Sequence, residues 1–116
     1  MIDPLVRALA GEELEPPEPV PQGVSVRRGR LIPALGGLLS GMGRPAAAVT
    51  LGRTIVVHPG VRLTTRLLRH EMAHVRQWQA HPLTFAARYV LGHVRHGYHA
   101  NPFEVEAREA EDRPVG

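Results

Sequence analysis

The chain contains no cysteine, so disulfides and thiolate ligands are excluded, and any metal ion would have to be held by histidine and carboxylate side chains. It also lacks an apolar run of the roughly 18 residues that a membrane helix needs. Its first residues do not combine a cationic start with an apolar stretch. We therefore expect a soluble, cytoplasmic protein. Its 116 residues suffice for one domain with a modest core.

Lysine is absent too, and acidic residues are scarce in the middle of the chain. All fourteen basic residues are arginines, and eleven of them lie between Pro19 and Phe103, where Glu71 is the single acid. Clustered arginines attract phosphates, so nucleic acid is one candidate partner. However, no aromatic residues interleave with these arginines to form a stacking platform. A genome of biased composition would produce the same pattern, and we do not expect nucleic acid to bind.

Proline and glycine divide the first half of the chain. Residues 4–14 are compatible with a short helix, which the stretch EPPEPVPQG then breaks, because proline lacks an amide donor. We predict an N-terminal helix and proline-rich arm over residues 1–22, followed by a single domain over residues 23–116. Within that domain, the glycine-rich stretch PALGGLLSGMGRPAA predicts a loop, and no Gly-Lys-Ser/Thr follows it to make a phosphate site.

Two β-branched runs, residues 49–51 and 54–57, are separated by Gly52 and Arg53. A two-residue loop that begins with glycine suits a type II′ turn, so these runs predict a β-hairpin.

Helical spacing of apolar residues follows the hairpin. It begins after Thr64 or Thr65, which are candidate N-caps, and stops at His81 and Pro82. A second helix is predicted by a later apolar set at helical spacing, which we expect to face the core. This set comprises Leu83, Ala86, Ala87, Val90 and Leu91. The remaining large residues of that helix could instead face a membrane or a partner; they are Phe85, Tyr89 and Val94.

The first predicted helix carries the sequence HEMAH. Positions four apart on a helix lie about 40° apart around the axis and roughly 6 Å along it, so His70 and His74 can reach one metal ion. Glu71 would project beside that ion without being forced to ligate it. In such an arrangement zinc lowers the pKa of a bound water, and the carboxylate removes its proton.

Two histidines leave a catalytic zinc site short of its usual three protein ligands. The later stretch NPFEVEAREAE predicts a third helix, with Asn101 as its N-cap and Pro102 in its first turn. Glu104 and Glu106 are the candidate ligands. They lie roughly 200° apart around the axis, so only one can face the metal. Glu104 also has a structural alternative, because it stands where it could complete a capping box.

The combination of HEMAH with EVEAR resembles the gluzincin branch of the zinc metallopeptidases, and in particular small bacterial HExxH domains. The resemblance extends from about Ala46 to Glu111. It implies a small zincin-like α+β domain, with a β-hairpin or small sheet, an HExxH helix and a downstream helix that supplies the third ligand. It also implies a Zn²⁺ ion held by His70, His74 and Glu104.

The resemblance further implies a metallopeptidase, a hydrolase that acts on a peptide or protein substrate with Glu71 as the general base on a zinc-bound water. Tyr98 is our first candidate for a donor to the oxyanion. The hairpin edge beside the zinc helix could add an extended peptide as one more strand. In one departure, Arg108 stands where the family often has an aspartate that orients a ligand histidine.

The main alternative comes from another class of protein. The same residues could hold zinc only to stabilise a small fold, in a catalytically silent module that binds other proteins. Glu71 separates the two hypotheses, because a structural site has no use for a general base beside the metal.

Overall fold

A computed structural model describes residues 11–30, 32–33 and 46–114. In these residues the chain forms four short strands followed by three helices, so the predicted α+β fold class is confirmed. The strands are β1 (Glu12–Glu13), β2 (Ser25–Arg28), β3 (Ala48–Leu51) and β4 (Thr54–Val57). The helices are α1 (Thr65–Ala80), α2 (Phe85–Ala100) and α3 (Pro102–Glu109), and a 3-10 turn (Ala110–Asp112) continues α3.

The strands form one mixed sheet in the order β1-β2-β4-β3. β3 and β4 make the predicted hairpin, with Leu51 opposite Thr54. Gly52, the first residue of the turn, has a φ of 63°. Arg53, the second, has a negative φ, because among the described residues only glycines have a positive φ. A positive φ at the first position alone is the pattern of a II′ turn. β2 lies parallel to β4 with Val26 opposite Ile55, a pairing that the sequence pattern did not predict. Among the described strands, β3 therefore lies at an edge of this sheet.

The main core lies between the sheet and α1. Val26, Ile55 and Val57 project from the two central strands onto Leu68 and other apolar residues of α1. On the opposite face of the sheet, Val56 packs against Ile32 and Leu51. β4 is buried along its whole length because it lies in the middle of the sheet with both faces covered.

α1 and α3 approach each other through alanines. Ala73 of α1 packs against Ala107 of α3 and Ala110 of the 3-10 turn, and all three are buried. Small side chains let two helix backbones come close together, so polar side chains on either side of this contact can meet across the interface.

The N-terminal prediction is wrong where it can be compared. Glu12 and Glu13 form β1, which pairs antiparallel with β2, so no helix extends through residue 14. Residues 4–10 lie outside the described residues, as does most of the predicted glycine-rich loop, residues 34–45. The separation of residues 1–22 from the rest of the chain stays a prediction.

The predicted core face of the second helix is also wrong. Leu83, Val90 and Leu91 are 96%, 59% and 49% exposed, whereas Phe85 is only 4% exposed. Phe85 packs against the rings of Trp78 and Phe103, with ring centroids 5.1 and 5.2 Å away. The aromatic face turns inward because its flat rings bury more apolar area against α1 and α3 than the aliphatic face could.

Within the described parts of the chain, no helix combines the length and the apolar character that crossing a bilayer requires.

The core assignment predicts a strong contrast between two leucines. We expect Leu68→Ala to lower the free energy of unfolding by about 2–5 kcal/mol, because it opens a cavity beneath the sheet. Leu83→Ala removes the same atoms from a residue that is 96% exposed and should change stability little. Urea unfolding followed by circular dichroism measures both, and equal losses would contradict the described core.

Candidate metal centre

The HEMAH motif lies in the middle of α1, which begins after Thr64, one of the two predicted N-caps. His70, Glu71 and His74 each offer a ligand atom within 4.8 Å of those of the other two, so this group could hold a metal ion. Glu71 and His74 are buried, and the side chain of His70 is only 13% exposed. Low exposure keeps competing water away from the donors.

The carboxylate of Glu104 lies between the two histidines. Its Oε1 is 2.9 Å from His70 Nε2, and its Oε2 is 3.3 Å from His74 Nε2. Adjacent ligands of a tetrahedral site with bonds of about 2.0–2.1 Å are roughly 3.3 Å apart. Each imidazole nitrogen is therefore about as far from a Glu104 oxygen as two ligands of such a site are from each other, although the two rings contact different oxygens.

Glu106 points elsewhere. Its Oε1 accepts a hydrogen bond from Gln77 Nε2 at 2.8 Å, on the far side of the histidine pair. The geometry thus favours Glu104 over Glu106 as the third ligand, as the resemblance implies, and this ligand role stays a prediction.

The start of α3 fixes where Glu104 lies. Asn101 is fully buried and caps α3, since its Oδ1 accepts the N–H of Phe103 while its Nδ2 donates to the carbonyl of Tyr89. A Cβ on Gly92 would come within 2.7 Å of Asn101 Oδ1, so the absence of a side chain there admits Asn101. The predicted N-cap is therefore confirmed, and it ties α3 to α2 as well.

The alternative structural role of Glu104 is wrong. In a capping box its carboxylate would accept the backbone N–H of Asn101, but that N–H donates to the carbonyl of Tyr98. The Glu104 carboxylate instead accepts a hydrogen bond from the Tyr89 hydroxyl, in addition to contacting the two histidines.

Electrostatics couple the three donors. Burial disfavours the charged form of His70, but the carboxylates of Glu104, Glu71 and Glu111 outweigh it and raise the pKa of His70 to about 9. Burial likewise opposes ionisation of Glu104, yet hydrogen bonds from His70 and His74 hold its pKa well below the usual range. Without a metal ion, protonated imidazole and ionised carboxylate thus neutralise each other.

Each histidine has a second partner on its other ring nitrogen. His74 Nδ1 lies 2.8 Å from Gln77 Oε1, and Gln77 is held in turn by the carbonyl of Phe103 and by Glu106. His70 Nδ1 lies 2.8 Å from Glu111 Oε2. Such partners fix the orientation of a metal-binding imidazole.

Glu71 is held from the sheet. The hydroxyl of Thr50, on the edge strand β3, donates to Glu71 Oε1 at 2.9 Å. Trp78 Nε1 donates to the backbone carbonyl of the same threonine at 3.0 Å. These contacts bring the edge strand against the motif, so that both help to form one site.

The donors line a cavity of about 590 Å³. β3 lines this cavity together with Ala46 and Ala47, and α2 contributes further lining residues that include Phe85 and Val90. Tyr98 also borders this cavity, one residue after Gly97, whose φ of 78° kinks α2. The cavity is therefore largely apolar, with the polar donors grouped at one side.

The sequence indicated five site residues, and all of them line this cavity: His70, Glu71, His74, Tyr98 and Glu104. It missed four residues that contact them: Thr50, Gln77, Tyr89 and Glu111. Gln77 and Glu111 had a signal in the sequence. Gln77 lies three residues after His74, and Glu111 lies seven after Glu104, both spacings that return to the same helix face. Thr50 and Tyr89 had none, since their contacts depend on packing.

Comparison with known proteins adds one similarity. A family model described as the eCIS core domain matches residues 42–82, a little more than a third of the chain, which includes β3, β4 and all of α1. That description names no reaction. No curated protein matched the chain in this comparison. No solved structure matched it either.

The position of Glu104 predicts the result of a metal analysis. On protein purified without added metal or chelator, we expect about one zinc ion per parent chain and little in Glu104→Ala, because a site of three protein ligands loses one. Glu106→Ala should retain most of the zinc, since Glu106 contacts Gln77 and not a histidine ring. Elemental analysis by mass spectrometry measures the content. Loss of zinc in Glu106→Ala alone would reverse the assignment.

The raised pKa of His70 predicts a pH dependence of the metal-free fold. Its ordinary pKa is 6.5 and its folded pKa is about 9, so the protonated ring stabilises the fold below about pH 6.5, and this contribution is lost as the pH rises to about 9. Urea unfolding with a chelator present should show a decrease on the order of 1–3 kcal/mol over that range, at about 1.4 kcal/mol per pKa unit. His70→Gln should reduce the dependence, and the part that remains reflects His74, whose pKa is also raised because its burial is outweighed by the carboxylates of Glu104 and Glu71. Equal parent stability at both ends would contradict the described ion pairs.

Proposed function

We propose that this chain is a zinc-dependent metallopeptidase-like domain that hydrolyses peptide bonds. The observation that supports this most is the position of Glu71. It is a buried carboxylate within 4.8 Å of the histidine donors, while Glu104 already lies against both rings as the third candidate ligand. A hydrolytic site needs a fourth position open to water and a base beside it, and Glu71 lies where that base would be.

Zinc is the metal we propose because the donors are two imidazoles and a carboxylate, the ligand set of many catalytic zinc sites. When bound, Zn²⁺ would act as a Lewis acid that polarises a carbonyl and lowers the pKa of water in the open fourth position.

Glu71 would move the proton. Its carboxylate takes a proton from the attacking water and then delivers it to the amine nitrogen of the leaving group. The Thr50 hydroxyl, which donates to Oε1, holds the carboxylate in one orientation during both transfers. Since Thr50 belongs to the sheet, movement of α1 alone would separate the base from its support.

The edge strand offers a place for the substrate. Because His58 N–H donates to the carbonyl of Ala47, alternate residues of this strand face β4. Ala48 and Thr50 therefore direct their backbone groups to the edge that no described strand pairs with. The Thr50 carbonyl already accepts a hydrogen bond from Trp78 Nε1. An extended peptide could therefore pair with Ala48 and with the N–H of Thr50, and its side chains would enter the apolar cavity.

Tyr98 is the donor we propose for the developing oxyanion. Burial and the negative charges of Glu104 and Glu71 raise the pKa of Tyr98 to about 12, so its hydroxyl keeps its proton at neutral pH. A protonated hydroxyl at the cavity wall can donate to a tetrahedral oxygen. Tyr89 is less suited, because its hydroxyl donates to Glu104 at 2.5 Å, whereas the contact of Tyr98 with the same carboxylate contributes less to its raised pKa than burial and charge do.

A second candidate function is the zinc-stabilised protein-binding module. The histidine contacts of Glu104 favour it to some extent, since a shared metal would join α1 to α3 and so stabilise a small fold. The two candidates agree on the ligands and differ only on Glu71.

Glu71→Gln distinguishes them. We expect the variant to keep its zinc, and to lose at least about 100-fold in the rate of peptide cleavage, because the amide cannot accept the proton. The Thr50 hydroxyl can still donate to the amide oxygen, so the fold should persist. Zinc content and cleavage of a fluorogenic peptide library report the two effects.

Glu109→Gln is the matched control, since Glu109 is an exposed acid at the end of α3. It should cleave like the parent. A Glu71→Gln variant that cleaves as fast as the parent would refute the peptidase assignment. A zinc-loaded parent that cleaves nothing in the library would support the binding module.

A further inference from the structure

Glu111 contacts a donor histidine although it is neither a candidate ligand nor the candidate base. Its Oε2 lies 2.8 Å from His70 Nδ1, the ring nitrogen that faces away from Glu104. Its side chain is only 21% exposed, so water screens this contact less than it would a surface pair. A neutral imidazole that donates from Nδ1 leaves the lone pair on Nε2, which is the atom beside Glu104.

The backbone brings Glu111 to this place. α3 ends at Glu109 and continues as the 3-10 turn, whose first residue, Ala110, packs against Ala73 of α1. Glu111 lies seven positions after Glu104, which is about two helical turns. Both residues therefore lie on the side of this segment that faces α1. Consequently the two carboxylates contact the same imidazole from its two nitrogens.

Arg66 holds the other oxygen of Glu111. Its guanidinium contacts Glu111 Oε1 at 2.9 Å and Asp112 Oδ1 at 2.8 Å. With Oε1 occupied by this cation, Oε2 is the oxygen that faces His70. The arginine thus restricts the rotation of the carboxylate.

Arg108, in contrast, cannot orient a histidine as the aspartate that the resembling family often has at this position does. Its guanidinium donates to the backbone carbonyl of His99, at the end of α2. This hydrogen bond joins α3 to the end of α2 instead.

We propose that Glu111 is the positioning residue of His70, in place of the missing aspartate. It accepts the Nδ1 proton, selects the tautomer that presents Nε2, and increases the basicity of the ring toward a metal ion. The partner of His74 is the neutral amide of Gln77, so the two histidines are unequal, and His70 is the one supported by charge. This inference rests on the proposed metal site and extends it to the residue that orients the donor.

The test compares the zinc affinities of four full-length chains: the parent, Glu111→Ala, Glu111→Gln and Asp112→Ala. Competition with a chromophoric chelator gives each dissociation constant. We expect Glu111→Ala to weaken binding by about 10- to 100-fold, the usual effect of losing such a partner. Glu111→Gln should recover part of the loss, because its amide oxygen still accepts the Nδ1 proton.

Asp112→Ala is the matched control, since Asp112 also pairs with Arg66 and its side chain is 76% exposed. It should bind zinc like the parent. Thermal unfolding of the metal-free variants records any general loss of stability, and Glu111→Gln remains informative if Glu111→Ala fails to fold.

A second readout reports orientation directly. In the zinc-loaded parent, the Nδ1 proton of His70 should give a downfield imidazole signal in a proton NMR spectrum, which Asp112→Ala keeps and Glu111→Ala loses. Parent-like affinity and an unchanged signal in Glu111→Ala would overturn the positioning role while leaving the metal site intact. A parent chain that binds no zinc would refute the proposed function itself.

Discussion

The contact of one carboxylate with two imidazoles organises this molecule. Glu104 meets His70 and His74 across the interface of α1 and α3, at a point where burial alone would disfavour every charge involved. The ions tolerate burial because each has a partner of opposite sign, and because alanines bring the two helices close enough for those partners to touch. A metal ion at this place would replace protons on the two rings, so the same geometry serves the metal-free and the metal-bound chain.

Local patterns predicted the parts of the fold that short segments determine. The hairpin followed from Gly52 between two β-branched runs, and α1 and α3 followed from apolar spacing and from the caps Thr64 and Asn101. The HExxH spacing predicted the histidine pair for the same reason, since it depends only on the pitch of one helix. The fold class resulted from these elements together.

What the sequence could not predict depends on packing between distant segments. The parallel pairing of β2 with β4 joins residues that are 29 apart, as Val26 and Ile55 illustrate, and no local pattern encodes it. The inward face of α2 depends on where Trp78 and Phe103 lie, so apolar spacing chose the aliphatic side and was wrong. Thr50 reaches Glu71 only because the edge strand lies against α1.

Gly92 shows that the site also depends on a residue without a side chain. The space left at Gly92 admits Asn101, Asn101 caps α3, and α3 carries Glu104 to the histidines. A methyl group at residue 92 would affect the candidate metal centre indirectly, because it would shift the capping amide of Asn101 and then α3. The position of Glu104 therefore depends partly on Gly92 of α2, a residue that contributes no chemical group to the candidate centre.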